Sequence, residues 1–412
     1  MGAPPRRSVA ILSAVRTPIG KYRGALRTIP AARLGALAAS EAIGRSGLKP
    51  ADIEDVLFGQ AIGAGQGQNP ARQVLRASHI PDDAGASTIN MVCGSGMKAV
   101  HLGYSEILAG GASRVLVGGM ESMSRAPFLL PPESRWEAPS APGSPPSPVA
   151  KIDANTQDGL SDAYGEHELM GMTGERIAER LGITREEADA YSLRSHRRAV
   201  EAGRGGRLRE EIVPVPPGFV PGAPGLDHDE NPRPTTSLEA LSKLRPAFKA
   251  DGILTAGNSS SLADGGAALV LASAEEVAQR GLRPMAWIHS ICVSGVDPAN
   301  VMESPIPTVR KHLAETGLSP GVFSRIEHNE AFSTASIAVQ RAFDFPDERF
   351  NAAGGAVALG HPIGMSGARI VVTLVHELLR TQGELGLATL CMGGGNGLSL
   401  IVDRSGLAES PT

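Results

Sequence analysis

The sequence predicts an α/β protein made of two related halves with a segment of different character between them, and three observations predict it. First, the apolar runs "VAILSAV" at Val9, "DVLFG" at Asp55, "SRVLVGG" at Ser113, "GAALVLAS" at Gly266 and "LATLCMGG" at Leu387 read as buried strands, separated by Ala-rich helical segments. Second, the chain repeats itself. "SGLKP" at Ser46 recurs as "TGLSP" at Thr316, and "SGMKAV" at Ser95 recurs as "SGARIV" at Ser366, with offsets of 270 and 271 residues. A strand-like run follows the first motif in both copies, and a helix pattern closed by a Gly-rich strand end follows the second, which favours a duplication. Third, composition shifts between about Arg125 and Asp251, where "PPESRWEAPSAPGSPPSPVAK" is too rich in Pro and Ser for regular structure.

Each part has its own justification. In the halves, two similar sheets related by a pseudo-twofold would bring loops from both copies to one ligand site at the strand ends. In the insertion, "TGERIAERLGITREEADAYSLRSHRRAVEAG" is helical, with "TREE" as a capped start and Gly203 as the stop. A lid or loop domain is the expected form.

Composition narrows the functional classes. A chain of 412 residues with 42% hydrophobic content supplies a substantial core. Lys and Arg total 39 against 43 Asp and Glu, a net charge of −4, so no basic field is available to hold nucleic acid or an anionic membrane. The partners expected instead are small molecules and copies of the chain itself. Three scattered cysteines, Cys93, Cys292 and Cys391, form neither a disulfide framework nor a zinc site and suit a reducing compartment. The run "SVAILSAV" is followed at once by Arg16, which fits neither a signal peptide nor a membrane span, so a cytoplasmic location is expected.

Cys93 lies in "NMVCGSGMKAV", where an apolar run gives way to a predicted helix and Gly94 and Gly96 permit tight backbone geometry. A thiol there is either a nucleophile favoured by the helix N-terminus or a small buried residue at a turn. Its company decides. His361 sits in the Gly-dense "NAAGGAVALGHPIGMSGAR", suited to act as a base toward a thiol; Cys391 in "LCMGGGNG" lies beside backbone donors; and Asn329 in "EHNEAF" can orient a water or a carbonyl. Four such segments spread over both copies argue for one composite site.

Together, "NMVCGSGMKAV", "HNEAF", "GGAVALGHPIGMSGAR" and "CMGGGNG", in this order, resemble the thiolases, in particular the acetyl-CoA acetyltransferase branch. The likeness extends through "GGMESMS", "LMGMTGE" and "LRPAFKADGILTAGNSSSLADGGAA". It implies the thiolase fold, two βαβαβ-type halves in a layered αβαβα arrangement. Residues 1–124 with 252–281 would form the N-terminal half, 125–251 the loop domain and 282–412 the C-terminal half. The resemblance makes Cys93 the acyl-accepting nucleophile, His361 its base and Cys391 the acid/base on the second substrate. Asn329, through a water, would join His361 at the enolate oxygen, and the amides of Cys93 and Gly393 would form the other oxyanion site. Coenzyme A would bind at Ser260, with Leu160, Met170, Ala256, Phe248, Leu262, Ala331 and Phe332 as apolar neighbours and Arg233 near the nucleotide.

The implied reaction joins two acetyl-CoA into acetoacetyl-CoA and CoA, or reverses it, with no resident cofactor or metal and with a homo-oligomer, tetramer or dimer, as the assembly. Proton abstraction and acyl transfer each develop an oxyanion at a different point, which is why two thiols and two donor sets are wanted. Two departures stand out. Leu169 occupies a position where acetyl-CoA-specific relatives often carry His, and the run from Pro131 to Val149 is unusual. Rival readings are a degradative 3-ketoacyl-CoA thiolase and, more remotely, an inactive CoA- or lipid-binding protein on the same fold. The second thiol argues against a ketosynthase.

Overall fold

The structure, a computed structural model, describes residues 8–135 and 150–405. Most of the Pro/Ser-rich run lies outside the described residues.

The chain begins with β1 (Val9–Arg16), β2 (Gly20–Lys21), α1 (Ala31–Ser46), β3 (Asp55–Gly59), α2 (Pro70–Ala77), β4 (Gly85–Ile89), α3 (Ser95–Ala109) and β5 (Arg114–Ser122). The middle segment carries the short pair β6 (Phe128–Leu129) and β7 (Ile152–Asp153), then α4 (Met170–Leu181), α5 (Arg185–Arg204) and α6 (Leu238–Ser242). It returns through β8 (Ala263–Ser273) and α7 (Ala274–Arg280). The remainder comprises β9 (Ala286–Gly295), α8 (Pro305–Thr316), β10 (Arg325–His328), α9 (Ser333–Ala342), α10 (Ala356–Leu359), α11 (Ile363–Arg380), β11 (Leu385–Met392) and β12 (Asn396–Asp403).

The duplication seen in the sequence is written into the sheet. Strand order runs β10-β11-β12-β9-β1-β8-β5-β3-β4, and the halves meet where β1 and β9 pair antiparallel over Val9–Ile288, Ala10–Trp287 and Ile11–Ala286. Outward from that seam β8 matches β12, β5 matches β11 and β3 matches β10, with the same directions on both sides: two antiparallel pairings, then one parallel. Among the described residues only the first half adds further strands, β4 parallel to β3 and the two-residue β2 antiparallel to β8. The two half-sheets therefore join edge to edge through three residues of each strand.

Both repeated motifs have structural counterparts. Gly47 (φ 80°) ends α1 and Gly317 (φ 72°) ends α8, left-handed positions where glycine avoids the Cβ penalty; Pro50 and Pro320 then open the 3₁₀ turns leading to β3 and β10. The second motif opens α3 at Ser95 and enters α11 at its fourth residue, Ser366. These helices pack on each other in the main core, against strands of both halves. Every residue of α11 from Ile363 to Leu378 is buried, as expected of a helix enclosed on all sides.

Within the insertion the predicted helical stretch divides at Gly182, which caps α4 in the left-handed conformation. Thr184 and Glu187 form the capping box that starts α5. The helix runs through Gly203 to Arg204, with Gly205 as its cap, so the expected stop falls two residues early; an exposed helical glycine costs only about 1 kcal/mol, too little to end a packed helix. Among the described residues no helix is long and apolar enough to cross a membrane.

Candidate active site

Cys93 lies in a single 3₁₀ turn, Val92–Gly94, that connects β4 to α3. Val92 is held at φ 48°, a conformation that costs a β-branched residue about 1–3 kcal/mol. The surrounding bonds hold it there: the Val92 N–H donates to Asn90 Oδ1 (3.0 Å), Ser95 Oγ donates to the Val92 carbonyl (2.6 Å), and the Met91 N–H donates to Ser95 Oγ (2.9 Å). Gly94 lets the end of β11 press against this turn, since a Cβ there would lie 1.7 Å from Met392 Sδ.

The end of β11 supplies Cys391, Met392 and Gly393, and Gly394 and Gly395, both at positive φ, turn the chain into β12. The Gly393 backbone N–H reaches the Cys93 sulfur. Cys391 is buried with its sulfur 3.7 Å from Met302 Sδ. His361 enters between α10 and α11 after Gly360, which sits at φ 96° with no room for a side chain against Asn231.

The tautomer of His361 follows from its partners. Ser366 Oγ donates to the Pro362 carbonyl (2.8 Å), so it accepts from His361 Nδ1–H at 2.5 Å and leaves Nε2 as the free base. Asn329 Nδ2 lies 3.4 Å from that Nε2, while Asn329 Oδ1 is buried with no hydrogen-bond partner among the described residues. A buried, unpaired carbonyl oxygen beside a catalytic-type imidazole fits a bound water or a substrate group.

Burial sets the resting protonation. It pushes the Cys93 thiol up to about 11, against the Gly393 N–H, and the Cys391 thiol to about 12, with the neighbouring Cys93 adding to the rise. It lowers His361 to about 4, helped by the positive charge of Arg369. The thiols and the imidazole are therefore all neutral at pH 7. Alkylation of Cys93 by iodoacetamide is expected to accelerate tenfold per pH unit up to at least pH 9; a plateau below pH 8 would instead reveal a thiolate–imidazolium pair.

These groups wall one cavity of about 320 Å³. Cys93, His361, Cys391 and Gly393 line it together with Ser260, Leu160, Met170, Phe248, Leu262, Ala331 and Phe332. Asn329 stands behind His361, in touch with it but off the wall. Arg233 and Ala256 are exposed and do not line this cavity. Leu169 does, 42% exposed at the opening. Sequence reasoning overlooked Val92, Thr156, Gly159, Gly171, Val301, Met302, Ile363 and Met392, which complete the wall. Small and uncharged residues of this kind carry no local mark of such a role.

Three basic side chains of α5 and of the turn after it are tied inward: Arg194 pairs with Asp347 and stacks on Tyr191, Arg198 donates to the carbonyls of Phe350 and Asp347, and Arg207 pairs with Glu377. Cys292 is buried in β9 opposite Ser399 of β12, away from the cavity wall.

Comparison with known proteins agrees with this geometry. Residues 9–275 match the thiolase N-terminal domain and residues 282–404 the thiolase C-terminal domain. An acetyl-CoA acetyltransferase of Pseudomonas aeruginosa is 44% identical over 97% of this chain and 100% of its own length. Among solved structures, the acetyl-CoA acetyltransferase of Bacillus anthracis superposes with a TM-score of 0.91 at 38% identity, covering 97% of this chain and 99% of that one. A thiolase of Ascaris suum in complex with coenzyme A gives 0.88 at 40% identity over 96% of this chain and 100% of that one, and human mitochondrial 3-ketoacyl-CoA thiolase gives 0.90 at 36% over 98% and 100%. Two paired half-sheets, two thiols and an imidazole around one cavity, and full-length matches to both domains lead to one conclusion: this chain belongs to the thiolase family of acyltransferases.

Proposed function

We propose that the protein is an acetyl-CoA C-acetyltransferase, catalysing the reversible condensation of two acetyl-CoA to acetoacetyl-CoA and CoA. The observation that carries this reading is the shared cavity of Cys93, His361 and Cys391. Cys93 Sγ attacks the thioester carbonyl as His361 Nε2 takes the thiol proton, and the departing CoA thiolate recovers that proton. Cys391 first loses its own proton to His361 Nε2; as the thiolate it removes an α-proton from a second acetyl-CoA, the resulting carbon attacks the acetyl-Cys93 carbonyl, and the released Cys93 thiolate takes the proton held by His361. The amides of Cys93 and Gly393 hold the acyl oxygen, and His361 with an Asn329-bound water holds the enolate oxygen. Burial that pushes the Cys391 thiol up to about 12 keeps it mostly protonated at neutral pH and makes its thiolate, once formed, a strong base. Its neutral resting state also makes it the proton donor that the reverse reaction requires.

Coenzyme A enters as substrate, with no resident cofactor. Its pantetheine arm runs past Ser260 between Leu160, Met170, Phe248, Leu262, Ala331 and Phe332, and outward toward Ala256 and Arg233. Residues 125–251 act as the covering domain between the halves 1–124 with 252–281 and 282–412. We further assign a homo-oligomer, tetramer or dimer, supported by β4, which among the described residues pairs only with β3, and by the exposed Phe128 (61%) and Leu130 (58%). Free thiols at all three cysteines suit the cytoplasm.

Leu169 supports a second reading, a thiolase acting on longer 3-ketoacyl-CoA, because it extends the apolar lining to the opening. One experiment separates them. Incubation with acetyl-CoA followed by peptide mass spectrometry is expected to place one acetyl group on Cys93, and thiolysis of acetoacetyl-CoA is expected to outpace that of a C8 3-ketoacyl-CoA. A label on Cys292, or none on any cysteine, overturns the mechanism; faster C8 cleavage transfers the assignment to the longer substrate.

A further inference from the structure

One buried carboxylate next to the cavity has no part in the chemistry described so far. Glu121, near the end of β5, is 1% exposed. Among the described residues no Lys, Arg or His forms an ion pair with it. Its partners are all backbone: Oε2 accepts from the N–H groups of Ala61 and Gly364, both at 2.9 Å, and Oε1 accepts from Ile62 N–H at 3.4 Å. An unpaired buried anion of this kind costs several kcal/mol in general and persists where it performs a task.

Its two strong bonds reach different walls of the site. Ala61 and Ile62 follow β3 and pack in one cluster with Val92, Cys93, Leu160, Leu262 and Ile363. Gly364 is the second residue of α11, directly after His361, Pro362 and Ile363. The helix has no side-chain cap of its own, so Glu121 supplies from β5 the acceptor and the negative charge that a helix N-terminus favours. Packing leaves the three segments no slack: a Cβ on Gly364 would lie 2.6 Å from the Met120 carbonyl and 2.7 Å from Gln60 Cα. Glu121 thus ties the Cys93 side of the cavity to the His361 side.

We propose that Glu121 is a positioning residue for acyl transfer, a three-way backbone clamp that fixes the His361 segment and the Ile62 segment around Cys93. This rests on the assignment of Cys93 and His361 above. Cys93 and Asp264 of β8 both interact electrostatically with the carboxylate, and the Asp264 carboxyl is itself occupied by the Ser124 N–H and hydroxyl. Burial raises Glu121 to about 7, so around neutrality it exists in both forms, and either form keeps an oxygen facing the Ala61 and Gly364 donors.

The clamp and the charge are separable by substitution. Glu121→Gln can set its amide oxygen at the Oε2 position and keep both short bonds, giving up only the longer one to Ile62. Glu121→Asp keeps the charge but withdraws the oxygens by one methylene. The single-turnover rate of Cys93 acetylation is followed by quenched mass spectrometry, with KM for acetyl-CoA measured separately. For Glu121→Gln, a rate near that of the parent is expected; for Glu121→Asp, a loss of about 10²-fold at little-changed KM, as for any displacement near 1 Å of a reacting pair. An active Asp variant beside an inactive Gln variant would assign the role to charge and overturn the clamp. Parent-like acetylation in both variants would overturn it as well. A parent enzyme that does not acetylate Cys93 would sink the assignment of the nucleophile, a result distinct from either of these.

Discussion

Cys391→Ala yields an enzyme that takes up one acetyl group and stops. The substitution leaves Cys93, His361 and the Gly393 N–H in place, so the first half-reaction retains its nucleophile, its base and its oxyanion donors. What disappears is the thiol that exchanges the α-proton of the second acetyl-CoA. Among the described residues, the cavity lining holds no Cys, His, Asp, Glu or Lys other than Cys93, which is acetylated at this stage, and His361, which faces the enolate oxygen. Water is a poor substitute in an apolar pocket, and loss of a positioned acid/base costs about 10²–10⁴-fold. Quenched-flow chromatography of the reaction with acetyl-CoA is expected to show one equivalent of CoA released per chain, followed by condensation slowed by that factor. Parent-like condensation would remove Cys391 from the mechanism.

A second large effect is structural and follows from the repeat. Gly96 of α3 and Gly367 of α11 occupy matching places in "SGMKAV" and "SGARIV", and each lies where one helix meets the other. A Cβ on Gly96 would stand 2.8 Å from the Ala368 nitrogen and 2.9 Å from the Gly364 carbonyl; on Gly367 it would stand 2.6 Å from the Met97 nitrogen. These contacts are backbone, which no rotamer change relieves. Gly96→Ala is expected to destabilise by about 1–3 kcal/mol or more, measured by urea denaturation, and to slow turnover because Cys93 lies three residues upstream. Gly367→Ala should cost a similar amount. The double variant should cost less than the sum, since one displacement of the helix pair accommodates both methyl groups. Strict additivity would show that the two glycines sit at independent contacts.

Much of this was legible before any coordinates. The strands at Val9, Asp55, Arg114, Ala263 and Leu385 announce themselves as apolar runs too short for helices, because a strand buried on both faces has no polar side to display. The repeats at Ser46 and Thr316 mark helix ends because a left-handed cap nearly demands glycine, and proline then starts the next turn. The functional segments stand out for the same kind of reason, with reactive side chains flanked by glycines where the backbone must come close.

Other features carry no such signature. Met302 and Ile363 look like any core residue until the fold turns them toward the thiols. Arg194, Arg198 and Arg207 look like an anion-binding face until α9, the Phe350 loop and Glu377 engage them. Glu121 reads as an unremarkable acid in "GGMESMS", and its backbone partners lie 60 residues before it and 243 after it.

The sequence by itself determined which side chains bear chemistry and that the fold is double, since local backbone demands and hydrophobic periodicity are properties of neighbouring residues. Only the tertiary structure decided that those side chains meet at one largely apolar cavity, which tautomer His361 adopts and how far burial displaces the thiols. Solvation and long-range contacts belong to the assembled chain, and no short stretch of it can encode them alone.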